Sequence, residues 1–439
     1  MRKMRILCVA LAIVLLVTAC AKEAPSGEIS DDAPIEVWID AAREEAAGTF
    51  VENYPDKGEL VTLTTTDYGQ LPQKILFWNN VGGGWPDASF AGPQIVPLIN
   101  DAAHSYLGDL KPFVDEDIIE GFAPGSLENC WDEGKLYCLR NDLAFFVLYY
   151  NAPLLEELGL TIPETYEEMK DMGAQFVRDH PDIQFAVAPE SVFHRQALVS
   201  AKCPFQQIVG PGQIRINATH ENCVMASQWL DDMVANGSLL MTDMWSEEVS
   251  TMMREGRWLF LPSSSWFGDY VINGTYFEAG DPAAQGLVGV SAMPKWQGQD
   301  HAWTYWWGGA AWVMSRHTEN PQLVADFLTY MTTDVIKVQG TYPAYMPAAE
   351  EWLQSMPEKT YYQDPVAVGE LFKAEAAYMW TKATESPVAV DVIWGPIQAK
   401  INGGEIGTYT EALEEFQTAL LDDANKLGYE AVTTGLDDF

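Results

Sequence analysis

The sequence predicts an α/β fold in two domains, and three features of the chain support this prediction. Short apolar stretches typical of strands alternate along the chain with stretches of helical periodicity, which is the pattern of α/β layers. A chain of 439 residues is also longer than a single hydrophobic core usually serves, so two domains are expected. Its 48% hydrophobic and 20% charged residues are typical of a globular protein.

Residues 1–20 are predicted to be an export signal that ends in a lipid attachment site. A positive segment precedes an apolar stretch over 6–19, which is shorter than the ~20 residues of a membrane-spanning helix. The run Val17-Thr-Ala-Cys20 resembles a bacterial lipobox, in which cleavage leaves the cysteine to carry lipid such as palmitate. Residues 21–33 are polar and are predicted to be a flexible tether. We expect an extracytoplasmic protein anchored to the cell membrane; the alternative is secretion with an incidental cysteine.

Strand and helix signals then follow each other through the chain. Strands are predicted at 35–39, 59–66, 88–91, 147–150, 185–188, 258–261, 287–292 and 310–314. Helices are predicted from residue 41, over 70–78, from Thr165 to His180, from Asn320 and from Thr408 to Gly428. Thr165 and Thr408 each stand three residues before a glutamate, which is the capping-box pattern, and Asn320-Pro321 suits a helix start.

Four cysteines beyond Cys8 and Cys20 indicate disulfides. An even number of cysteines in an oxidising compartment favours pairing, and four of them allow three connectivities. We favour Cys130–Cys138, which would face each other across a hairpin that turns at Glu133-Gly134, and Cys203–Cys223. Metal binding is the alternative, but the spacings fit no zinc pattern, and no metal or other cofactor is expected.

The segment Trp303-Thr-Tyr-Trp-Trp-Gly-Gly-Ala-Ala-Trp312 is the strongest candidate for a binding loop. Four tryptophans and one tyrosine stand beside Gly308-Gly309, where the absence of side chains lets backbone amides approach a ligand. Flat indole faces suit the apolar face of a sugar ring, and their N–H groups can reach hydroxyls. The alternative is that most of these rings belong to the core.

Motifs through most of the chain after residue 33 resemble the family 1 extracellular solute-binding proteins, the maltose-binding-protein class of ABC importers. The matching segments are Phe50-Val-Glu-Asn-Tyr-Pro55, Pro86-Asp87, Leu107-Gly-Asp-Leu-Lys-Pro112, Gly134-Lys-Leu-Tyr137, Leu148-Tyr-Tyr-Asn151, Leu158-Gly-Leu-Thr-Ile-Pro163, Met293-Pro-Lys-Trp296 and Trp307-Gly-Gly309. The chain departs from the family pattern in its four extra cysteines and at Leu139-Arg-Asn-Asp142, where many relatives have a proline.

The resemblance implies a two-lobed periplasmic-binding-protein-like fold with crossing hinge strands. Lobe one would comprise 34–144 and 304–353, and lobe two 145–303 and 354–439. An oligosaccharide would bind in the cleft between the lobes, which close over it by a hinge motion. The resemblance also implies delivery of this ligand to the permease subunits of an ABC transporter. We expect the protein to be a monomer.

Ligands of open α/β sheets bind beyond the carboxyl ends of the strands, which selects candidate residues independently of the family. The predicted ligand-binding residues are Asp40, Arg43, Asp67, Tyr68, Phe90, Asn141, Asp142, Trp266, Tyr270, Trp306, Trp307, Gly308 and Gly309. Carboxylates and an arginine can form charge-assisted hydrogen bonds with sugar hydroxyls. As alternatives, Asp40 and Asp67 would cap the following helices and Arg43 would be a surface cation.

Other functional classes are less well supported by the sequence. A glycosidase needs a pair of carboxylates, which 63 acidic residues do not exclude, but Gly-x-Ser-x-Gly, His-Glu-x-x-His and phosphate-loop motifs are absent from the sequence. We therefore predict no enzyme activity. A net charge of −38 disfavours nucleic acid as a partner. A surface adhesion module, or binding of a peptide, polyamine or polyol, are the remaining alternatives.

Overall fold

The computed structural model of the chain describes residues 29–92, 95–100, 104–210, 212–334, 340–379, 388 and 390–432. The predicted signal, Cys20 and most of the predicted tether lie outside these residues. Within the described residues the strands are β1 Ile35–Ile39, β2 Val61–Thr65, β3 Ala88–Ala91, β4 Trp131–Asp132, β5 Lys135–Leu136, β6 Cys138–Arg140, β7 Phe146–Asn151, β8 Gln184–Pro189, β9 Gln207–Gly210, β10 Gln213–Arg215, β11 Leu239–Thr242, β12 Trp258–Ser264, β13 Val288–Ser291, β14 Ala311–Met314 and β15 Glu430–Val432.

Helices separate most of these strands, which confirms the α/β class. They are α1 Glu44–Asn53, α2 Pro55–Gly58, α3 Leu71–Val81, α4 Ile95–Ile99, α5 Glu116–Glu120, α6 Ala152–Glu157, α7 Tyr166–Asp179, α8 Phe193–Ser200, α9 Glu221–Ala235, α10 Glu247–Arg254, α11 Pro321–Thr333, α12 Met346–Ser355, α13 Pro365–Glu375, α14 Val390–Asn402 and α15 Tyr409–Lys426. No helix in the described part of the chain has the length and apolar character needed to cross a membrane.

The first large sheet has the strand order β2-β1-β3-β14-β6. Strand β1 runs parallel to β2 and β3, whereas β14 runs antiparallel to β3 and β6. The carboxyl ends of β1, β2, β3 and β6 therefore lie at one edge of the sheet, where the chain also enters β14. The side chains that follow these strands are brought together at this edge.

The second large sheet has the order β11-β8-β12-β7-β13. Strands β11, β8 and β12 are parallel, and β7 runs antiparallel to both of its neighbours. The chain crosses from the first sheet to the second over residues 141–145. Two other segments run beside this crossing: the Trp307 N–H donates to the Ala144 carbonyl over 3.0 Å, and the Leu143 N–H donates to the Tyr342 carbonyl over 2.8 Å.

The predicted helix starts are confirmed by side-chain capping bonds. The Thr165 hydroxyl accepts from the Glu168 N–H over 3.1 Å, and the Thr408 hydroxyl accepts from the Glu411 N–H over 3.0 Å. Asn320 caps α11 by accepting from the N–H of Leu323 over 3.1 Å. Each bond satisfies a backbone donor that the first helical turn leaves unpaired, which fixes where the helix begins.

The core of the first sheet is built around Trp312 of β14. This side chain is fully buried and its ring packs edge-on against Phe90 of β3 and Phe327 of α11, with centroids 5.0 Å and 5.8 Å away. One face of α11 is buried with it, through Val324, Phe327, Leu328 and Met331. Trp312, the last tryptophan of the candidate binding loop, is therefore a core residue, which is the alternative interpretation given above for these rings.

Both predicted disulfides are present. Cys130–Cys138 and Cys203–Cys223 have Cα separations of 4.9 Å and 4.8 Å. The first bridge lies at the open end of the hairpin formed by β4 and β5, whose turn residues Glu133 and Gly134 have φ values of 48° and 78°. The local hairpin thus places the two cysteines opposite each other, for the reason the sequence suggests.

A candidate ligand-binding cleft

Two adjoining cavities lie where the carboxyl ends of the first sheet face the second sheet. Their volumes are about 330 Å³ and about 630 Å³, within the range of small-molecule sites. The two cavities share five lining residues and therefore form one continuous cleft. The shared residues are Tyr68, Trp245, Trp266, Gly308 and Ala310.

An ion pair between Asp40 and Arg43 lines the smaller cavity. The guanidinium Nη1 lies 2.8 Å from the Asp40 carboxylate, and its Cζ lies 4.1 Å from the centre of the Phe90 ring. The second oxygen of Asp40, the Nε of Arg43 and the hydroxyl of Thr341 are buried and have no hydrogen-bond partner among the described residues. Unsatisfied buried donors and acceptors are costly, so these atoms are suited to receive a polar ligand.

Asp142 lies at the floor of the same cavity. Its side chain is 3% exposed and accepts a hydrogen bond from the Asn141 amide over 2.9 Å. Burial raises the pKa of the Asp142 carboxyl, and the positive charge of Arg43 opposes this rise. Asn141 in turn accepts from the indole N–H of Trp312 over 3.0 Å, so this amide orients the carboxyl from the core side.

Two tyrosine hydroxyls add neutral hydrogen-bonding groups to the smaller cavity. Burial raises the pKa of Tyr68, and burial raises that of Tyr270 to about 12. Both phenols therefore remain protonated at neutral pH and can donate as well as accept a hydrogen bond. Tyr270 belongs to a π-helical segment, Gly268–Tyr276, which follows β12. Such segments are frequent at functional sites.

Aromatic rings form the boundary between the two cavities. The Trp307 ring lies 5.0 Å from that of Trp266 and 5.5 Å from that of Trp245, measured between centroids. The Trp266 indole N–H also donates to the carbonyl of Trp307. The backbone turns sharply after Trp307, where Gly308 has a φ of 100° and an added Cβ would lie 2.9 Å from the Trp266 Nε1. Only glycine fits there, which explains the loop's Gly308.

The larger cavity extends along the second sheet towards α14. Arg195 of α8 is 4% exposed, forms an ion pair with Asp391 and donates to the Tyr305 hydroxyl over 3.1 Å. Glu190, directly after β8, accepts from the Asn402 amide over 3.1 Å. This end of the cleft thus resembles the other end in one respect, since each holds an arginine paired with an aspartate.

The structure brings most of the predicted site residues together. Those that line the cleft are Asp40, Arg43, Tyr68, Phe90, Asp142, Trp266, Tyr270, Trp306, Trp307, Gly308 and Gly309. Two predicted residues do not line it. Asp67 is exposed and accepts from the Gly69 N–H over 2.9 Å, as the capping alternative anticipates. Asn141 is buried behind Asp142. Asp40 makes no capping bond and pairs with Arg43 instead.

Sequence reasoning missed several residues of the larger cavity. Trp245 stands three residues after β11, and Glu190 directly follows β8. The carboxyl-end rule would have selected both residues if it had been applied to every strand of the second sheet. Arg195 gives no comparable signal, because it lies in the first turn of a short helix and only its tertiary contacts place it in the cleft. No cluster able to hold a metal ion occurs among the residues that the structure describes.

Comparison with known proteins identifies the family of the chain. The family model for bacterial extracellular solute-binding proteins matches residues 49–368. The chain is 22% identical over 298 residues to the arabinooligosaccharide-binding protein of Halalkalibacterium halodurans, and this match covers 65% of the chain but only 63% of that relative's length.

Solved structures of binding proteins are similar to the whole fold. The galacto-N-biose-/lacto-N-biose I-binding protein of a Bifidobacterium longum ABC transporter superposes with a TM-score of 0.77 at 17% identity, over 92% of this chain and 100% of that one. An ABC transporter associated binding protein from B. animalis subsp. lactis, in complex with β-1,6-galactobiose, gives a TM-score of 0.74 at 19% identity, over 91% and 99% of the two chains. With a family match over most of its length and a two-lobed α/β fold, the chain belongs to the bacterial extracellular solute-binding proteins.

Proposed function

We propose that this protein is the substrate-binding lipoprotein of an ABC importer, which captures an oligosaccharide in its cleft and delivers it to the membrane permease. The observation that carries the proposal is a continuous cleft in which aromatic faces adjoin buried polar atoms that have no partner in the described part of the chain. Rings such as Trp307 can cover the apolar faces of sugar units. The atoms left unpaired at Asp40, Arg43 and Thr341 can bond to hydroxyls.

The similar proteins support the ligand class. The relatives named above are described as binding arabinooligosaccharide, lacto-N-biose or β-1,6-galactobiose. Two adjoining cavities suit a ligand of more than one sugar unit, because a single unit would leave one cavity to water. An importer's binding protein should also return its ligand unchanged.

The proposed lobes follow the two large sheets. Lobe one, over 34–144 and 304–353, holds every strand of the first sheet, and lobe two, over 145–303 and 354–439, holds every strand of the second. The crossing at 141–145 and the segments beside it would act as the hinge, because closure of such lobes concentrates rotation in a few connecting residues. Ligand binding between the sheets would favour the closed arrangement.

Anchoring at Cys20 completes the proposal and rests on the lipobox-like sequence. A lipid on Cys20 would hold the protein beside the permease through the tether. Mass spectrometry of the membrane fraction tests this: we expect lipid on Cys20 and release of a Cys20→Ser variant from the membrane. A native protein whose mature N-terminus carries no lipid would contradict it.

Calorimetric titration with neutral oligosaccharides tests the proposed function. We expect at least one arabino-, xylo-, malto- or galacto-oligosaccharide to bind, and Asp40→Asn to weaken that binding. Asp232→Asn is the matched control, because Asp232 is a surface residue paired with Lys170. Binding of a peptide, polyamine or polyol in place of every sugar would overturn the ligand class. Chromatography that detected shortened sugars would indicate an enzyme instead.

A further inference from the structure

We propose that the cleft selects uncharged oligosaccharides and rejects those that carry carboxylate, sulfate or phosphate groups. This inference rests on the proposed function, since it specifies which sugars the same cleft accepts. The observations that support it are the charged side chains that line the two cavities and the ion pairs that the arginines among them already form.

The charged groups of the cleft are mostly acidic. Among the described residues that line either cavity, the charged side chains are Asp40, Arg43, Asp142, Glu190, Arg195 and Asp391. Acids therefore outnumber cations by four to two within this set. An anionic ligand that entered the cleft would meet a lining of its own sign, and like charges facing each other across an interface oppose binding.

Both cations are already engaged by a carboxylate of the protein. Arg43 is held 2.8 Å from Asp40, and its side chain is 12% exposed. Arg195 is more deeply buried, at 4% exposure, and is paired with Asp391 while it also donates to Tyr305. A ligand carboxylate that accepted a hydrogen bond from either arginine would place a second negative charge beside a cation that an aspartate already neutralises, and the two carboxylates would repel each other.

The same ion pairs suit a hydroxylated neutral ligand. Each pair presents a donor group and an acceptor group side by side, and a sugar hydroxyl can both donate and accept. The unpaired Nε of Arg43 and the second oxygen of Asp40 offer this combination at one end of the cleft. The Nε of Arg195 has no hydrogen-bond partner among the described residues, and its guanidinium is paired with the Asp391 carboxylate at the other end. Hydroxyls can bond at both ends without breaking either ion pair.

Paired titrations test the selectivity. The neutral probes are galacto- and xylo-oligosaccharides, and the acidic probes are oligogalacturonides and xylo-oligosaccharides that carry glucuronic acid. We expect acidic probes to bind the wild-type protein about 100-fold more weakly than neutral ones, or not measurably, because of the like charges in the lining. Asp391→Asn removes one acid and frees Arg195, so binding of the acidic probes should strengthen about tenfold or more and should become sensitive to salt.

Controls separate this inference from the proposed function. Glu415→Gln removes a surface carboxylate that is paired with Lys400 and should change neither affinity. The melting temperature of Asp391→Asn shows whether the variant folds, and Glu190→Gln, which removes a different acid of the lining, should also favour the acidic probes. If acidic probes bind the wild type as tightly as neutral ones, or if neither variant improves their binding, the selectivity is refuted while sugar binding stands. If no sugar of either kind binds, the proposed function fails.

Discussion

Replacement of Trp245 by alanine should separate ligand binding from folding. Trp245 lines both cavities, yet its side chain is 52% exposed and its ring meets that of Trp307 edge-on at 5.5 Å. Truncation of a buried tryptophan costs about 3–5 kcal/mol of stability. Since half of this side chain is already in solvent, we expect a cost of about 1–2 kcal/mol for Trp245→Ala.

Trp245→Ala should reduce the free energy of ligand binding by a larger proportion than the free energy of unfolding. Aromatic side chains at the centre of a binding surface commonly contribute about 2 kcal/mol, which is about a 30-fold loss of affinity. At a ligand concentration about 100 times the wild-type dissociation constant, binding stabilises the wild-type protein by about 2.7 kcal/mol. At the same concentration the variant should gain only about 0.9 kcal/mol.

Thermal unfolding with and without the sugar, combined with calorimetric titration, measures both quantities. Trp352→Phe is the matched control, because Trp352 is 1% exposed and lies outside the lining of the two cavities. This control should lower the melting temperature of the unliganded protein and keep the full ligand-induced rise. If Trp245→Ala binds the sugar as tightly as the wild type, the assignment of the aromatic boundary as a sugar-binding surface is wrong.

Three further predictions follow from packing, cross-links and burial. Trp306→Ala should lower the free energy of unfolding by about 3–5 kcal/mol because this ring is 6% exposed. Trp307→Ala, in contrast, should mainly weaken sugar binding. Denaturant unfolding and calorimetric titration distinguish the two variants, and equal effects would contradict the assignment of Trp306 to the core and Trp307 to the sugar-binding surface. Loss of the Cys203–Cys223 bridge, with a sequence separation of 20, should lower the free energy of unfolding by about 3.3 kcal/mol. Loss of Cys130–Cys138, with a separation of 8, should lower it by about 2.5 kcal/mol, because the closed loop is shorter. Urea unfolding of the serine variants measures both costs, and a reversed order would refute the chain-entropy reasoning. Burial raises the pKa of Glu375 from 4.5 to about 7, so the folded protein favours the protonated carboxyl. The stability that this protonated carboxyl contributes is fully present below pH 4.5 and is lost as the pH rises through 7, with an amplitude on the order of 3 kcal/mol. Unfolding as a function of pH should show that Glu375→Gln removes this loss, and an unchanged pH profile would contradict it.

Much of the fold could be predicted because its signals are local. The strand at 35–39 was predicted with the bounds that the structure shows, and the capping residues Thr165, Asn320 and Thr408 marked the correct helix starts. Hairpin chemistry at Glu133-Gly134 indicated one disulfide. The small sheet formed by β9, β10 and β15 could not be predicted, because it pairs β10 with a strand more than 200 residues away and no local pattern records such a partner.

The candidate site, too, could be predicted from the sequence only in part. The sequence by itself determined which residue types follow the strands of the first sheet, and a shared edge brings Asp40, Tyr68 and Asp142 together. Only the tertiary structure decided that Trp312 belongs to the core and that Arg195 reaches the cleft. The physical reason is that strand direction fixes where a residue stands, whereas the direction and partners of its side chain depend on groups that are distant in sequence.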